Sequence, residues 1–358
     1  MTDSKFNKTS RDSGEIKISC RNVWKIYGDN PGQYFNGGRD AFKDIDDLKA
    51  HIQSSGHIPA ACDINFDVRL GEIFVIMGLS GSGKSTTVRC LSRLVEPTAG
   101  EVLLDGINLL EISDRELIEI RRHKMGMVFQ NFGLLPHQTV LENVAFPLKV
   151  QGVSRSEREE RALKVIELVG LEGREESYPR ELSGGQQQRV GFARSLAVDP
   201  EVWFLDEPFS ALDPLIRRQM QDEFLQLERM LHKTIVFITH DFMEAIRIAD
   251  RIAIMKDGWM VQIGTPAEIV MNPANDYVAE FTQDVPRVKV LTVGDIFNPV
   301  INGLDRSTSV PTSMTLEAVM PRFAGNEKGL VVTDDNDEVC GRITPIDVVN
   351  ALAVDIER

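Results

Sequence analysis

The stretch that most constrains this chain is a glycine-rich loop at residues 78–86, with the sequence GLSGSGKST. The apolar run Ile73–Met77 precedes it, and residues 87–94 follow it with apolar side chains at helical spacing. The loop therefore joins a buried strand to a helix. The order G-x-x-x-x-G-K-S between a strand and a helix is that of a phosphate-binding P-loop, in which glycines turn successive N–H groups inward around a phosphate. The sequence predicts a nucleotide site here, where Lys84 reaches the β- and γ-phosphates and the Ser85 hydroxyl binds Mg²⁺.

Strand and helix patterns alternate along most of the chain, which predicts an α/β fold with a mainly parallel sheet. Further strands are predicted at 125–130, 202–206 and 234–239, and a closing hairpin at 251–263. Helices are predicted at 42–52, 186–198, 214–231 and 241–249, and three more after capping boxes headed by Ser113, Thr139 and Ser154. Residues 15–27 alternate apolar and polar positions, which predicts a strand near a sheet edge.

Composition excludes some classes of function. No run of eighteen apolar residues occurs and residues 1–14 are polar, so we expect neither a membrane span nor a signal peptide, and any membrane role must go through a partner. The formal net charge of −14 argues against nucleic-acid binding, which needs a broad basic face. The four cysteines lack metal-ligand spacing and are expected to be reduced core thiols of a cytosolic protein.

A second group of polar residues follows two other predicted strands. Asp206 and Glu207 end one apolar strand, and His240 follows Thr239 at the end of the next. In an open parallel sheet the carboxyl ends of the strands face the ligand crevice. A second glycine-rich turn, LSGGQ at 182–186, opens a helix and is a further candidate anion site.

Together with Gln130 and the run SALD at 210–213, these motifs resemble the ATPase subunits of ATP-binding-cassette (ABC) transporters. The resemblance covers about residues 15–284, and LSGGQ beside a P-loop is highly specific for that family. It implies a P-loop NTPase domain over residues 1–284, with a RecA-like core, an antiparallel β subdomain and a helical subdomain at about 131–195. It also implies ATP and Mg²⁺ as cofactors and ATP hydrolysis as the activity.

The same resemblance implies a role for each matching residue. Glu207 would be the general base, which typically contributes about 10²–10⁴-fold in rate, with His240 and Gln130 as its catalytic partners. Mg²⁺ would be bound by Ser85, Gln130 and Asp206. ATP would be bound by the adenine-stacking ring of Tyr27 and by the P-loop residues Gly78, Ser80, Gly81, Ser82, Gly83, Lys84, Ser85 and Thr86. The nucleotide of the opposite subunit would be bound by the signature-turn and D-loop residues Ser183, Gly184, Gly185, Gln186 and Asp213.

Two of these assignments have structural alternatives. A long segment separates Tyr27 from the next strand, so Trp24 or Phe35 could be the ring that stacks on adenine. Asp213 directly precedes Pro214 and could be a helix N-cap, with or without a role at the nucleotide.

Three stretches of the sequence resemble the corresponding stretches in the ATPase subunits of importers of glycine betaine, proline betaine and other quaternary amines. They are the insertion at about 28–60, the P-loop run and the sequence NPANDYV at 272–278. This resemblance implies a head-to-tail homodimer that lies at the cytoplasmic face of the inner or plasma membrane, under two permease subunits and supplied by a solute-binding protein. A groove near residues 130–135 would receive the permeases' coupling helices. The insertion is either a surface excursion or a brace for the dimer or the membrane partner.

The tail, residues 285–358, resembles a single cystathionine-β-synthase (CBS) repeat at 291–297 and 341–347. Its predicted elements are helices at 316–320 and 346–352 and strands at 329–333 and 339–343. The resemblance implies a small α/β regulatory or dimerisation unit in which Thr344 and Asp347 bind an adenine nucleotide. A lone repeat leaves an apolar face uncovered, so we expect it to pair with its copy across the dimer. The alternative is a dimerisation piece without a ligand.

Two rival functions remain at this point. A soluble ABC ATPase of DNA repair or translation is disfavoured by the single cassette, by the short helical segment between P-loop and signature, and by the acidic charge. A ligand-sensing module in which hydrolysis is secondary would depend on the tail.

Overall fold

The computed structural model describes residues 14–35, 45–130, 133–299, 308–334 and 336–353. The chain divides into two compact units, residues 1–261 and 262–358. The polar residues 1–13 and residues 42–44 of a predicted helix lie outside the described ranges. Among the described residues, no helix combines the length and the apolar composition needed to cross a bilayer.

The strands up to residue 264 follow the predicted order, and the last of them is divided equally between the two units. They are β1 (Ile16–Tyr27), β2 (Ile58–Arg69), β3 (Ile73–Met77), β4 (Ala99–Leu104), β5 (Ile107–Asn108), β6 (Met125–Val128), β7 (Val202–Asp206), β8 (Thr234–Thr239), β9 (Arg251–Lys256) and β10 (Trp259–Gly264). The helices are α1 (Ile45–Ser54), α2 (Lys84–Leu91), α3 (Asp114–His123), α4 (Val140–Val150), α5 (Arg155–Leu168), α6 (Gly184–Leu196), α7 (Pro214–Leu231) and α8 (Phe242–Ile248). Short 3₁₀ turns cover Pro31–Phe35 and Pro179–Glu181.

The central sheet has six strands in the order β10-β9-β3-β8-β7-β6. Strand β3 runs parallel to β8 and β9, and β7 runs parallel to β6 and β8. Every residue of β3, β7 and β8 is buried, as their unbroken apolar sequences require. The mainly parallel α/β core is therefore confirmed. The carboxyl ends of β3, β8 and β7 are neighbours at the same edge of this sheet.

The second sheet is antiparallel, in the order β2-β1-β4-β5. Strand β1 lies one strand in from the edge strand β2, near a sheet edge as predicted, and it pairs with β2 on one side and with β4 on the other. Its alternating pattern reflects the two faces of an antiparallel sheet rather than an open edge. Even its polar Lys17 is buried, where it pairs with Asp105 at 2.6 Å and with Glu201.

The described part of the insertion packs against this antiparallel sheet. Tyr34 and two residues of α1, Leu48 and Ile52, share a buried cluster with Trp24 and Ile26 of β1. This part of the insertion is a core element, so the interpretation of it as a mere surface excursion is wrong.

Helices α4, α5 and α6 form the predicted helical region around their own apolar cluster. The predicted capping boxes at Ser113 and Thr139 are both formed. At Ser154 the side chain accepts a hydrogen bond from the Glu157 backbone N–H. These caps fix where α3, α4 and α5 begin, as the sequence predicted.

The second unit contains α9 (Pro266–Met271), α10 (Asp276–Thr282), α11 (Arg287–Val290), α12 (Val293–Ile296), β11 (Ser309–Pro311), α13 (Leu316–Val319), β12 (Leu330–Thr333), β13 (Val339–Ile343) and α14 (Pro345–Ala353), with a 3₁₀ turn at Met320–Phe323. Its sheet has the order β11-β12-β13. Ala267 and Met271 of α9 pack into its core, so this compact unit begins before the predicted functional boundary at 284/285, which stays a prediction. On α14, Ile346 and Val349 are exposed at 62% and 58%.

Candidate functional site

The P-loop connects the buried strand β3 to helix α2 through backbone conformations that favour glycine. Gly83 is the N-cap of α2 with φ of 100°, and a Cβ there would lie 2.1 Å from the Ala60 carbonyl oxygen. A Cβ at Gly78 would lie 2.3 Å from the Met255 carbonyl oxygen. Side chains cannot be accommodated at either position, so the loop keeps the open backbone that a phosphate needs.

Lys84 is held at the mouth of this loop. Its side chain is only 4% exposed, and Nζ donates to the carbonyl oxygens of Gly78 and Leu79, both at 2.9 Å. Burial lowers the pKa of Lys84, while the nearby carboxylates of Glu207 and Asp206 act in the opposite direction. The ammonium is thus a poorly solvated cation beside two acids, well placed to receive phosphate charge.

Ser82 gives an independent indication of a missing polar partner. Within the described residues, its Oγ is buried and makes no hydrogen bond. Buried hydroxyls normally have a partner. A phosphate oxygen in the loop would supply one, so the P-loop residues fit an ATP phosphate group.

Ser85 and Asp206 bring two hard oxygen atoms together. The Ser85 Oγ donates to Asp206 Oδ1 at 2.8 Å, and Asp206 is 3% exposed. Burial raises the pKa of Asp206, and the Ser85 hydrogen bond and the Arg89 guanidinium, 3.5 Å from Oδ2, oppose the rise. A carboxylate and a hydroxyl oxygen at a phosphate site suit Mg²⁺.

The three predicted catalytic residues, Glu207, His240 and Gln130, lie together. Glu207 Oε2 lies 3.0 Å from His240 Nδ1 and 3.5 Å from Gln130 Nε2, and Glu207 Oε1 lies 3.9 Å from Lys84 Nζ. The backbone φ of Glu207 is +46°, a left-handed conformation that costs a non-glycine residue about 1–3 kcal/mol. Glu207 N–H donates to the Ile238 carbonyl oxygen of β8, and its own carbonyl oxygen accepts from Ser210. These bonds hold the carboxylate at the crevice in spite of the strain.

The signature turn and the D-loop form a separate group. Ser183 caps α6 in a box with Gln186, and Ser183 and Gly184 are exposed. Gly185 is buried, and a Cβ there would lie 3.0 Å from Ile216 of α7. Asp213 accepts from the Ile216 N–H at 3.1 Å, so its predicted capping role is confirmed.

The three candidate adenine rings differ in exposure. Trp24 is 2% exposed, and its ring lies 5.7 Å from those of Phe35 and Trp259. Tyr27 is 42% exposed, and the Lys25 ammonium lies 5.0 Å from its ring centroid. The Trp24 ring is enclosed in the core, whereas the Tyr27 face can meet a planar base.

In the tail, Thr344 and Asp347 bond to each other. The Thr344 Oγ1 donates to Asp347 Oδ2 at 2.6 Å, and the Thr344 N–H donates to the same oxygen at 2.8 Å. The Asp347 N–H donates back to Thr344 Oγ1 at 3.3 Å. They form the N-terminal cap of α14, and their role toward a nucleotide stays a prediction.

Sequence reasoning missed Arg89 and Arg194. Arg89 follows Ser85 by one helical turn, and that spacing was the available signal. The Arg194 guanidinium donates to the Gly133 carbonyl oxygen at 2.6 Å and lines a groove of about 410 Å³. The groove lies at the predicted 130–135 region, of which residues 131–132 are outside the described chain. Its apolar lining consists of Met125, Met127, Phe129, Leu135, Phe146, Pro147, Val150 and Val198.

Known proteins are similar to this chain in sequence and in fold. Residues 62–210 match the family described as ABC transporter. The trimethylamine N-oxide transport system ATP-binding protein TmoW of Ruegeria pomeroyi is 54% identical, over 93% of this chain and 96% of its own length. The glycine betaine/proline betaine transport system ATP-binding protein ProV of Escherichia coli is 51% identical, over 82% of this chain and 72% of its own. A solved dimer of the ATP-binding cassette MJ0796 in a post-hydrolysis state, bound to ADP and Pi, superposes with a TM-score of 0.57 at 35% identity, covering 69% of this chain and 98% of that one.

Proposed function

This chain belongs to the ABC transporter family as an ATP-binding subunit, and we propose that it hydrolyses ATP to import solutes with a fully substituted amine nitrogen. The observation that carries the proposal is one crevice in which Lys84, Ser85, Asp206 and Glu207 contact each other beside a P-loop. Phosphoryl transfer needs mainly positioning and charge neutralisation, and this set supplies both.

We assign one task to each side chain of the site. Lys84 binds the β- and γ-phosphates, and Ser85, Asp206 and Gln130 hold Mg²⁺, which neutralises phosphate charge. Glu207 takes a proton from the attacking water. His240 and Gln130, which both contact Oε2 of the Glu207 carboxylate, orient it toward that water. Tyr27 stacks on adenine.

A second subunit completes the site. In one chain Ser183 and Gly184 are exposed and belong to a group separate from the P-loop crevice. Their helix α6 presents N–H groups and a positive dipole end that suit a γ-phosphate. Two copies in a head-to-tail homodimer would therefore enclose ATP between the P-loop of one and the signature turn of the other.

The apolar groove is where we place the permease subunits. ABC ATPase subunits of transport systems work with membrane permeases, and this groove is lined by apolar and arginine side chains, which suit an amphipathic helix. We infer a complex of two ATPase subunits and two permeases, with the ATPases at the cytoplasmic face and a solute-binding protein upstream.

The proposed cargo is glycine betaine, trimethylamine N-oxide or a similar compound. The relatives named for trimethylamine N-oxide are 51% and 54% identical over 94% and 93% of this chain, whereas ProV is 51% identical over 82% of it, and this broader similarity favours the amine oxide.

The test is uptake of each labelled solute by vesicles that contain this chain, its permease and its binding protein. Uptake is expected with ATP and is expected to be lost in Lys84→Ala. Co-purification with ribosomes and not with a permease would support the rival soluble ATPase and contradict the proposal.

A further inference from the structure

The side chain of His57, near the C-terminal end of the insertion, packs against Gly28 at its N-terminal end. A Cβ at Gly28 would lie 1.9 Å from His57 Cδ2, so the imidazole ring occupies the space where a side chain at 28 would stand. Gly28 has φ of +143°, a conformation that L side chains rarely adopt. Glycine is therefore needed at 28 both for its backbone angle and for the close approach of the ring.

Hydrogen bonds fix the ring in this place. His57 Nε2 lies 2.9 Å from the Asp29 carbonyl oxygen, and Nδ1 lies 2.9 Å from the Tyr34 hydroxyl. A carbonyl oxygen only accepts, so Nε2 carries a proton and donates it to Asp29, and the Tyr34 hydroxyl hydrogen-bonds to Nδ1. Tyr34 is 7% exposed and its ring packs edge-on at 5.5 Å from that of His57. The buried hydroxyl thus anchors the imidazole to the core cluster.

The segment that His57 holds is the one that follows Tyr27. In the antiparallel ladder, Tyr27 is paired with Ile58, the residue after His57. The Tyr27 ring is 42% exposed, so packing around the ring constrains it only in part. The backbone on its C-terminal side is constrained by the contact with Gly28 and the bond to Asp29.

We propose that His57 is a positioning residue for the adenine base. It holds the Tyr27–Gly28–Asp29 turn so that the Tyr27 ring is presented in a fixed orientation, and it does not touch the nucleotide. The proposal rests on the proposed role of Tyr27. It assigns the insertion a function inside its own subunit, which is to set affinity for the base while the P-loop sets affinity for the phosphates.

The experiment measures binding of ATP and of inorganic tripolyphosphate to the full-length chain. A base–aromatic stack is worth roughly 5-fold to 150-fold in affinity. We expect Tyr27→Ala to weaken ATP binding within that range and His57→Ala to weaken it by about 5-fold. Neither variant should change tripolyphosphate binding. Because Tyr27 and His57 act as one unit, the double variant should bind ATP no worse than Tyr27→Ala alone.

Controls separate positioning from folding. Tyr34→Phe removes one hydroxyl and keeps the ring, and it should shift ATP affinity in the same direction by about twofold. His57→Gln keeps an amide N–H that can reach the Asp29 carbonyl oxygen and should recover part of the loss. His123→Ala removes an exposed histidine outside the site and should bind like the parent chain.

The outcomes are distinguishable. If Tyr27→Ala binds ATP normally, the adenine assignment is wrong and this inference is overturned with it. If Tyr27→Ala is weak but His57→Ala binds normally, only the positioning role is overturned. A loss for His57→Ala that is equal for ATP and tripolyphosphate would mean a general structural role and would also overturn it.

Discussion

Replacement of Glu207 by glutamine tests the assignment of the general base. Glutamine has the same shape, so Gln130 and His240 keep a partner at 3.5 Å and 3.0 Å, and the bonds that hold the strained backbone involve main-chain atoms and Ser210. Burial is the main cause that raises the pKa of Asp206, and the Glu207 charge adds to it. Loss of the Glu207 charge removes one of the causes that raise the pKa of Asp206, so the substitution removes the proton acceptor while Asp206 keeps its negative charge.

The expected loss is that of a positioned base, about 10²–10⁴-fold in kcat, or roughly 3–5 kcal/mol of transition-state stabilisation. The assay is phosphate release by the full-length chain at saturating Mg-ATP, with ATP affinity measured separately. We expect the affinity to stay within about threefold. Glu160→Gln, an exposed carboxylate paired with Lys164 on α5, is the matched control. A kcat for Glu207→Gln within threefold of the parent chain would refute the reasoning.

Three further predictions follow from other contacts. Because burial raises the pKa of Asp206 above 3.8, the folded chain holds that proton more tightly than the unfolded chain, and stability falls as pH rises from 3.8 through the raised value. Asp206→Asn should therefore raise the free energy of unfolding at neutral pH without ligand by an amount on the order of 1 kcal/mol, read as a higher thermal unfolding midpoint. It should also reduce the further rise of the midpoint given by Mg-ATP. An unchanged ligand-free midpoint would contradict this. Phe146→Asp, in the apolar groove, should abolish co-purification with the permease at an unchanged midpoint, and retained co-purification would place the permease elsewhere. Thr344→Val removes the α14 cap and should cost about 1 kcal/mol of stability, read as a lower midpoint for the tail; no change would mean that the cap is dispensable.

Much of the fold could be predicted because its central elements are specified locally. Strands β7 and β8 and helix α7 have the predicted bounds, since unbroken apolar runs end at Asp206 and Thr239 and Pro214 starts the helix. The partner strands of β1 could not be predicted, because the pairing with β2 and β4 is long-range and alternation reports only which faces are buried. The short helix α9 was missed for a similar reason, since Ala267 owes its burial to the second unit's core.

The candidate site likewise has parts that the sequence predicts and parts that it does not. Asp206, Glu207 and His240 could be placed at one crevice because neighbouring parallel strands end at one edge. The unpartnered Ser82 hydroxyl and the close packing of the His57 ring against Gly28 could not be predicted. Both depend on side-chain directions after the loop has closed, and neither residue has a sequence spacing that signals its partner.

The central claim is that ATP joins the P-loop of one copy to the signature turn of the other, and mixed dimers test it most directly. One partner carries Glu207→Gln with Lys84→Ala, and the other carries Glu207→Gln with Gly184→Arg, a position where a Cβ makes only an ordinary contact with Leu212. In a head-to-tail dimer of the two, one site has both defects and the other has none. Sedimentation in saturating Mg-ATP should show each variant alone as a monomer and the mixture as a dimer that holds one ATP. A mixture that stays monomeric while the Glu207→Gln parent dimerises would contradict the account.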